Sequence, residues 1–379
     1  MSAHVARYRL TFGHVEIGPI ARQHLNASLD RHWISEGPNV AAFESGFAQL
    51  FGYRHAIATS TGTDAGIVGW HALRERGWQR GDEVITPASA FASTANSILA
   101  AGLIPRFVDI ELDTLNINAA LVERALTPRT RGIQAVHTMG KICDMDALSA
   151  IASTRGLSIL EDACEAHGAK REGQLVGTFG AAATFSFYAA HLLCSGEGGM
   201  IVTADPELEQ LCRSVRSHGR RGGQRHFSFD RVGVNAKMTD LAAAIGLEGL
   251  ANFDAAFAIR RRHQARLIAA LSPLADRLIL PAEAPGEVIA PHAFPLVLRH
   301  AHDDIAPLFA HLEDAGIECK TLFGSLPTQH AAFAFLGHQL GDFPQAERLH
   351  HAGLHFGLHQ YLTDADIDYA ADTITRYFA

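Results

Sequence analysis

The chain has 379 residues, which points to one large domain and a smaller one. Hydrophobic residues make up 47% and charged residues 19%, a balance that suits a packed globular enzyme and excludes a disordered or fibrous chain. A formal net charge of -8 argues against nucleic acid or an anionic membrane as main partner and leaves a small molecule.

The N-terminus, MSAHVARYRLTFGHVEIG, lacks the long apolar core of a signal peptide. No run reaches the roughly eighteen apolar residues of a membrane helix, so a cytoplasmic protein is expected. From about residue 54 short apolar runs alternate with longer amphipathic ones: HAIATS, TGTDAGIVGWHALRERG, DEVITP, AFASTANSILAAG and PRFVDI, then GIQAVHT, DMDALSAIASTRG and LSILEDA. This alternation predicts an α/β domain with a largely parallel sheet, whose ligands bind beyond the carboxyl ends of the strands. Residues 184–200, TFSFYAAHLLCSGEGGM, read as strand, bend and strand, with His191 at the bend. LAAAIGLEGLANFDAAFAIRRRHQARLIAAL then predicts one or two long helices. After a change of texture at LSPLADRLILPAEAPGEV, the runs HAFPLVL, DDIAPLFAHLEDAG and IECKTLF and a final helix from about Asp364 predict a smaller α/β domain. The expected division is 1–250 and 251–379. Cys143, Cys164, Cys194, Cys212 and Cys319 lack CxxC spacing and read as small buried residues, not as a metal site or disulfide framework.

Several stretches carry chemistry. TSTGTDAG at 59–66 lies between a strand and a helix, where free N–H groups and the helix dipole attract an anion; taken alone, a plain small-residue turn is the commoner reading. ILEDACEAHGA at 159–169 places Glu161 and Asp162 just after a buried strand. A carboxylate there can hold a ring nitrogen charged, or it can simply be the acidic first turn of a helix. His137 and His167 are further candidates to line the cleft among 22 histidines, most of which are structural or solvated.

In order, WISEGPNVAAFE (33–44), TSTGTDAG, GDEVITPASAFASTANSILAAGLIPRFVDI (81–110), ILEDACEAHGA, FSFYAAHLLCSGEGGMIVT and GVNAKMTDLAAAIG (233–246) resemble the DegT/DnrJ/EryC1/StrS sugar aminotransferase family. The resemblance implies the fold-type-I architecture of pyridoxal phosphate (PLP) enzymes, similar to aspartate aminotransferase, with a mostly parallel sheet. It implies that Gly62, Thr63 and Ser186 hold the cofactor phosphate, that Phe91 stacks on the pyridine ring and that Asp162 pairs with the ring nitrogen. Glu165 falls where the family often has Gln near the phenolic oxygen. Asn235 is expected to reach the phosphate of a neighbouring subunit, which implies a homodimer with shared sites.

At His191 the family's aminotransferases carry the lysine that links to the cofactor. The chain has four lysines, Lys141, Lys170, Lys237 and Lys320, and none lies in this stretch. Imidazole makes no stable covalent link, so the PLP or pyridoxamine phosphate (PMP) is expected to be held non-covalently. An ordinary imidazole pKa of about 6.5 suits a base at neutral pH. The resemblance narrows to the PMP-dependent sugar 3-dehydratases, where this chain has Leu192 in place of a second histidine. The loop SHGRRGGQRHFSFDR holds no cysteine, so no iron–sulfur cluster is expected and the resemblance is to the branch of GDP-4-keto-6-deoxymannose 3-dehydratase. That branch implies C3 dehydration of a nucleotide-linked 4-keto-6-deoxy sugar, glutamate as amino donor and His191 as base. Arg220 and Arg221 then contact the diphosphate or the glutamate carboxylate, or form a solvated basic loop. Other lysine-independent PMP chemistry, sugar transamination and a silent nucleotide-sugar-binding homologue are the alternatives.

Overall fold

The computed structural model describes residues 7–222, 226–300 and 302–379. Two helices lead in, α1 (Pro19–Asp30) and α2 (Pro38–Phe51), each opened by a proline whose fixed φ and missing N–H suit a first turn. There follow β1 (His55–Thr59), α3 (Gly62–Arg74), β2 (Glu83–Pro87), α4 (Ala92–Ala100), β3 (Ile104–Val108), α5 (Ala119–Ala125) and β4 (Thr130–Val136). The chain continues through α6 (Met145–Arg155), β5 (Ser158–Asp162), the short β6 (Lys170–Arg171) and β7 (Gln174–Leu175), β8 (Ala182–Ser186), β9 (Gly199–Thr203) and α7 (Pro206–Arg216). Seven of these strands form one sheet in the order β1-β9-β8-β5-β4-β2-β3. Strand β9 runs antiparallel to both neighbours and the other pairs are parallel. Every residue of β2 and of β9 is buried, because helices cover both faces, which is why these strands read as continuous apolar runs.

The long helical run is two helices, α8 (Asp240–Ala251) and α9 (Phe253–Leu271), which break at Asn252 and meet at 64°. Beyond them lie β10 (Leu278–Ile279), β11 (Glu287–Val288), β12 (Ala293–Leu298), α10 (Ala306–Asp314), β13 (Cys319–Thr321), α11 (Leu326–Gln329), α12 (Pro344–Ala352), β14 (Gly353–Gly357) and α13 (Asp364–Phe378). Strands β10, β12, β14 and β13 form a second, antiparallel sheet in that order, while β11 crosses back to pair with β6. Asp109, just past β3, accepts the amides of Gln345 and Ala346 and so docks the positive end of α12 onto the large sheet. Among the described residues no single helix is long and apolar enough to cross a membrane.

Candidate active site

Three strands deliver their last residues to one cavity of about 580 Å³: Val136 from β4, Asp162 from β5 and Ser186 from β8. This is the carboxyl edge of the parallel sheet, where the strand ends leave a crevice. Gly62 and Thr63 line the same cavity as the first residues of α3, whose first-turn amides have no intrahelical partner. Thr61 caps that helix by accepting the Asp64 amide. A β-carbon at Gly62 would lie 2.6 Å from Cβ of Ser186, so only glycine lets the helix start meet the serine. The result is a cradle of N–H groups and a hydroxyl suited to a phosphate.

The rest of the cavity matches a flat cationic ring. Asp162 accepts a hydrogen bond from the Thr94 hydroxyl at 3.1 Å and another from the Cys164 amide at 3.3 Å, which fix its carboxylate at the cavity wall. Phe91, 62% exposed, stands at the rim with its ring 5.9 Å from Phe323. Glu165 accepts the Met139 amide at 2.6 Å. Met139 takes φ +53°, a left-handed conformation costly for a non-glycine residue, to aim that amide. Burial, helped by the Asp162 charge, pushes the Glu165 carboxyl up to about 7 against the pull of this hydrogen bond. The stretch 159–169 is thus a strand end followed by turns, and the acidic-helix reading of it falls away.

Glu161 has a different task. Fully buried, it accepts the amides of Gly177, Phe179 and Gly180, and it lies 3.1 Å from Nε2 of His137. It organises the GTFG turn behind the sheet edge. His137 lines the cavity, whereas His167 is buried beside it with its ring 6.0 Å from that of His191.

His191 lies in the loop between the antiparallel pair β8 and β9, whose register pairs Ser186 with Gly199. Inside the loop the Phe187 amide donates to Gly198 and the Ser195 amide to Phe187, so the bend is pinned at its neck. His191 lines the cavity, and its Nδ1 is buried and, among the described residues, without a hydrogen-bond partner. Burial first and the Arg260 charge second push its pKa down to about 3. The ordinary value of about 6.5 expected from the sequence does not hold in this enclosure. Leu192 is buried and its neighbour Leu193 enters the core.

Arg260, on α9, is the largest surprise. Its buried guanidinium donates to the carbonyls of Ala190, His191 and His292, while its Nε donates to Gln360. It braces both the histidine bend and the segment entering β12. In the sequence it is one arginine of RRRHQAR on an ordinary helix, and no spacing singles it out. His355 from β14, Lys320 from β13 and His292, the residue before β12, also line the cavity and are remote in the chain.

Three expected contacts do not lie on this chain's cavity. Arg221 is exposed and paired with Asp230 at 2.8 Å, Arg220 packs over the Phe227 ring at 4.6 Å, and Asn235 is exposed next to the bridge it forms with Ser217. Residues 223–225 of the arginine-rich loop lie outside the described residues.

Fold and cavity together define a fold-type-I enzyme that works with PLP or PMP. A model of the DegT/DnrJ/EryC1/StrS aminotransferase family matches residues 16–375, and the chain belongs to that family. It is 34% identical over 377 residues to a dTDP-4-dehydro-2,6-dideoxy-D-glucose 3-dehydratase of Saccharopolyspora spinosa, covering 91% of this chain and 81% of the relative. It is also 34% identical over 312 residues to a dTDP-3-amino-3,4,6-trideoxy-alpha-D-glucose transaminase of Streptomyces venezuelae, covering 82% and 79%. The structure of E. coli GDP-4-keto-6-deoxy-D-mannose-3-dehydratase with bound hydrated PLP superposes with a TM-score of 0.89 at 27% identity, over 97% of this chain and 99% of that one. Equal identity to a dehydratase and a transaminase means that overall likeness does not choose between the two activities.

Proposed function

We propose that the protein is a nucleotide-sugar 3-dehydratase, removing the C3 hydroxyl of a nucleotide-linked 4-keto-6-deoxy sugar with PLP/PMP recharged by glutamate. The observation that carries this reading is His191: the bend that faces the cofactor cradle presents an imidazole, and no lysine lies in the bend. When bound, the cofactor supplies an amine for the sugar's ketone and an electron-withdrawing ring that stabilises charge at the neighbouring carbon.

In this reading the Gly62 and Thr63 amides and the Ser186 hydroxyl hold the phosphate. Asp162 keeps the ring nitrogen protonated, Phe91 stacks on the ring and Glu165 sits at the phenolic oxygen. His191, neutral because it is buried, would be the base that takes up and returns the proton beside the cofactor. Arg220, Arg221 and Asn235 do not line their own cavity and would serve the site of a second subunit in a homodimer, the arginines on the diphosphate or glutamate carboxylate and Asn235 on the phosphate. The two proposed domains, residues 1–250 and 251–379, both contribute to the cavity, the second through His292, Lys320 and His355. Transamination is the second reading, favoured by the equal likeness to a transaminase.

The test mixes the purified protein with PLP and glutamate and follows absorbance for conversion to the PMP form. Adding a GDP- or dTDP-linked 4-keto-6-deoxy sugar should then release ammonia and a 3-deoxy-4-keto sugar. An amino sugar without ammonia would establish transamination, and no cofactor uptake would sink both readings. His191→Asn is expected to bind cofactor yet stall.

A further inference from the structure

We propose that Lys320 binds the side-chain carboxylate of the amino donor, glutamate. That glutamate is the donor rests on the proposed function, while the placement of the ammonium does not. Of the described residues that line the cavity, Lys320 is the only lysine or arginine. Three carboxylates, Asp162, Glu165 and Glu197, line the same cavity. The imidazoles bring little balancing charge: burial lowers His191 and His355 to about 3 and His292 well below its ordinary range, and His137 is turned to Glu161 at 3.1 Å. A donor that carries two carboxylates therefore finds its fixed positive partner at Lys320.

The ammonium is held in place. Its Nζ donates to Oε1 of Glu318 at 3.0 Å and lies 5.9 Å from the centre of the Phe12 ring. Glu318 is buried and accepts the Phe12 amide with its other oxygen at 2.8 Å, so carboxylate, ring and ammonium form one unit that ties β13 to the N-terminal segment. One of the three N–H groups is used in this way, and two are left for a ligand on a side chain that is 52% exposed. Distance from His191 selects between the two carboxylates of glutamate. The His292 ring lies 4.8 Å from that of His191, and the Phe12 ring lies 6.4 Å from that of His292. Two rings thus stand between His191 and the ammonium. The α-carboxylate is bonded to the carbon that reacts and stays at the histidine end, whereas the side-chain carboxylate, two methylenes farther on, has the reach. Lys320 on the donor also leaves the diphosphate to Arg220 and Arg221.

The test follows the absorbance of the PLP-loaded protein against donor concentration, with L-glutamate and with L-norvaline, whose side chain ends in a methyl group where glutamate has its carboxylate. Lys320→Gln is expected to raise the half-saturating glutamate concentration about 10-fold or more, the scale of one charge-assisted hydrogen bond, while the limiting rate stays within about 3-fold and PLP affinity within about 2-fold. Lys320→Arg keeps the charge and should saturate within about 3-fold of wild type. Norvaline should saturate wild type and Lys320→Gln alike, a readout that a merely structural lysine would not give. Calorimetric titration with glutarate, which has both carboxylates and no amine, reads the same contact without turnover: it should bind wild type about 10-fold more tightly than Lys320→Gln, and more tightly than pentanoate binds either. Unchanged saturation by glutamate, equal losses with both donors, or glutarate binding that is absent or ignores the substitution overturns the assignment. A loss confined to the nucleotide-sugar step also overturns it, by placing the diphosphate at Lys320. Should Lys320→Gln fail to fold, Lys320→Met takes its place in both arms. A wild type that binds PLP and ignores glutamate defeats the proposed function, and the glutarate arm still decides whether Lys320 is a carboxylate site.

Discussion

Gly62 and Ser186 stand in contact: the first residue of α3 rests on the last residue of β8, so closely that a β-carbon on Gly62 would lie 2.6 Å from Cβ of Ser186. Helix dipole and serine hydroxyl therefore point at one spot, and the spacing of that spot depends on a missing methyl group.

Gly62→Ala is expected to push α3 off the strand end. An overpacked core position costs about 1–3 kcal/mol, and here the displacement falls on the phosphate cradle. PLP affinity, followed by absorbance titration, should weaken about 10-fold or more, a loss of about 1.4 kcal/mol. Wild-type affinity in this variant would show that the phosphate binds elsewhere.

Glu161→Gln tests the turn behind the sheet edge. The carboxylate accepts three backbone amides and faces His137, whereas an amide group offers one oxygen and places N–H against N–H. Two donors lose their acceptor, at about 1–3 kcal/mol each. Denaturant unfolding should show a loss of about 2–5 kcal/mol; a loss below about 1 kcal/mol would mean that the turn reorganises freely.

Arg260→Lys keeps the charge and removes the fork. One ammonium cannot reach the Ala190, His191 and His292 carbonyls together with Gln360, so about 2–4 kcal/mol of stability should be lost. The glutamate-driven conversion of cofactor should slow more than PLP affinity falls, because the bend moves while the cradle stays. Parallel losses in rate and affinity would contradict the bracing role.

The pH dependence of stability has two sides. His191, His355 and His359 are each held at about 3, chiefly by burial, against an ordinary value of 6.5. Below pH 6.5 the unfolded chain takes up protons that the folded chain refuses, so stability falls with pH at up to about 1.4 kcal/mol per unit per histidine. Glu165 acts in the opposite sense: raised to about 7, it holds a proton that the unfolded chain gives up above about 4.5, and that stabilisation disappears as pH rises through 7. Between about pH 4.5 and 7 the Glu165 loss partly offsets the histidine gain, so the melting temperature of the cofactor-free protein should fall on the acid side and level off above about 7. His355→Gln should soften the acid slope, whereas Glu165→Gln should steepen the rise between about 4.5 and 7; unaltered slopes would assign the titration to other groups.

The sheet, the helices and half of the site were legible in the chain because they rest on local signals. Alternating apolar runs marked β1 to β5, and the Gly-rich punctuation around FSFYAAHLLCSGEGG marked β8, β9 and the bend with His191. Asp162, Ser186, Gly62 and Thr63 each sit at a strand end or a helix start and line the cavity; Asp162 and Gly62 stood in short motifs with a second reading, and Ser186 and Thr63 were expected from the family resemblance. Arg260, His292, His355 and Lys320 were missed because their elements look like ordinary packing segments. Only the docking of the second sheet on the first brings them to the cavity. The His191 pKa was misjudged for the same reason, since the burial and the Arg260 charge that lower it come from tertiary packing.

The grip of Arg260 on the bend is made entirely to main-chain oxygens of Ala190, His191 and His292, atoms that every amino acid presents. The brace is therefore blind to the identity of the side chain at position 191. A lysine at position 191 would meet the same brace, so on the proposed reading the side chain that sets the chemistry and the backbone that aims it are separable.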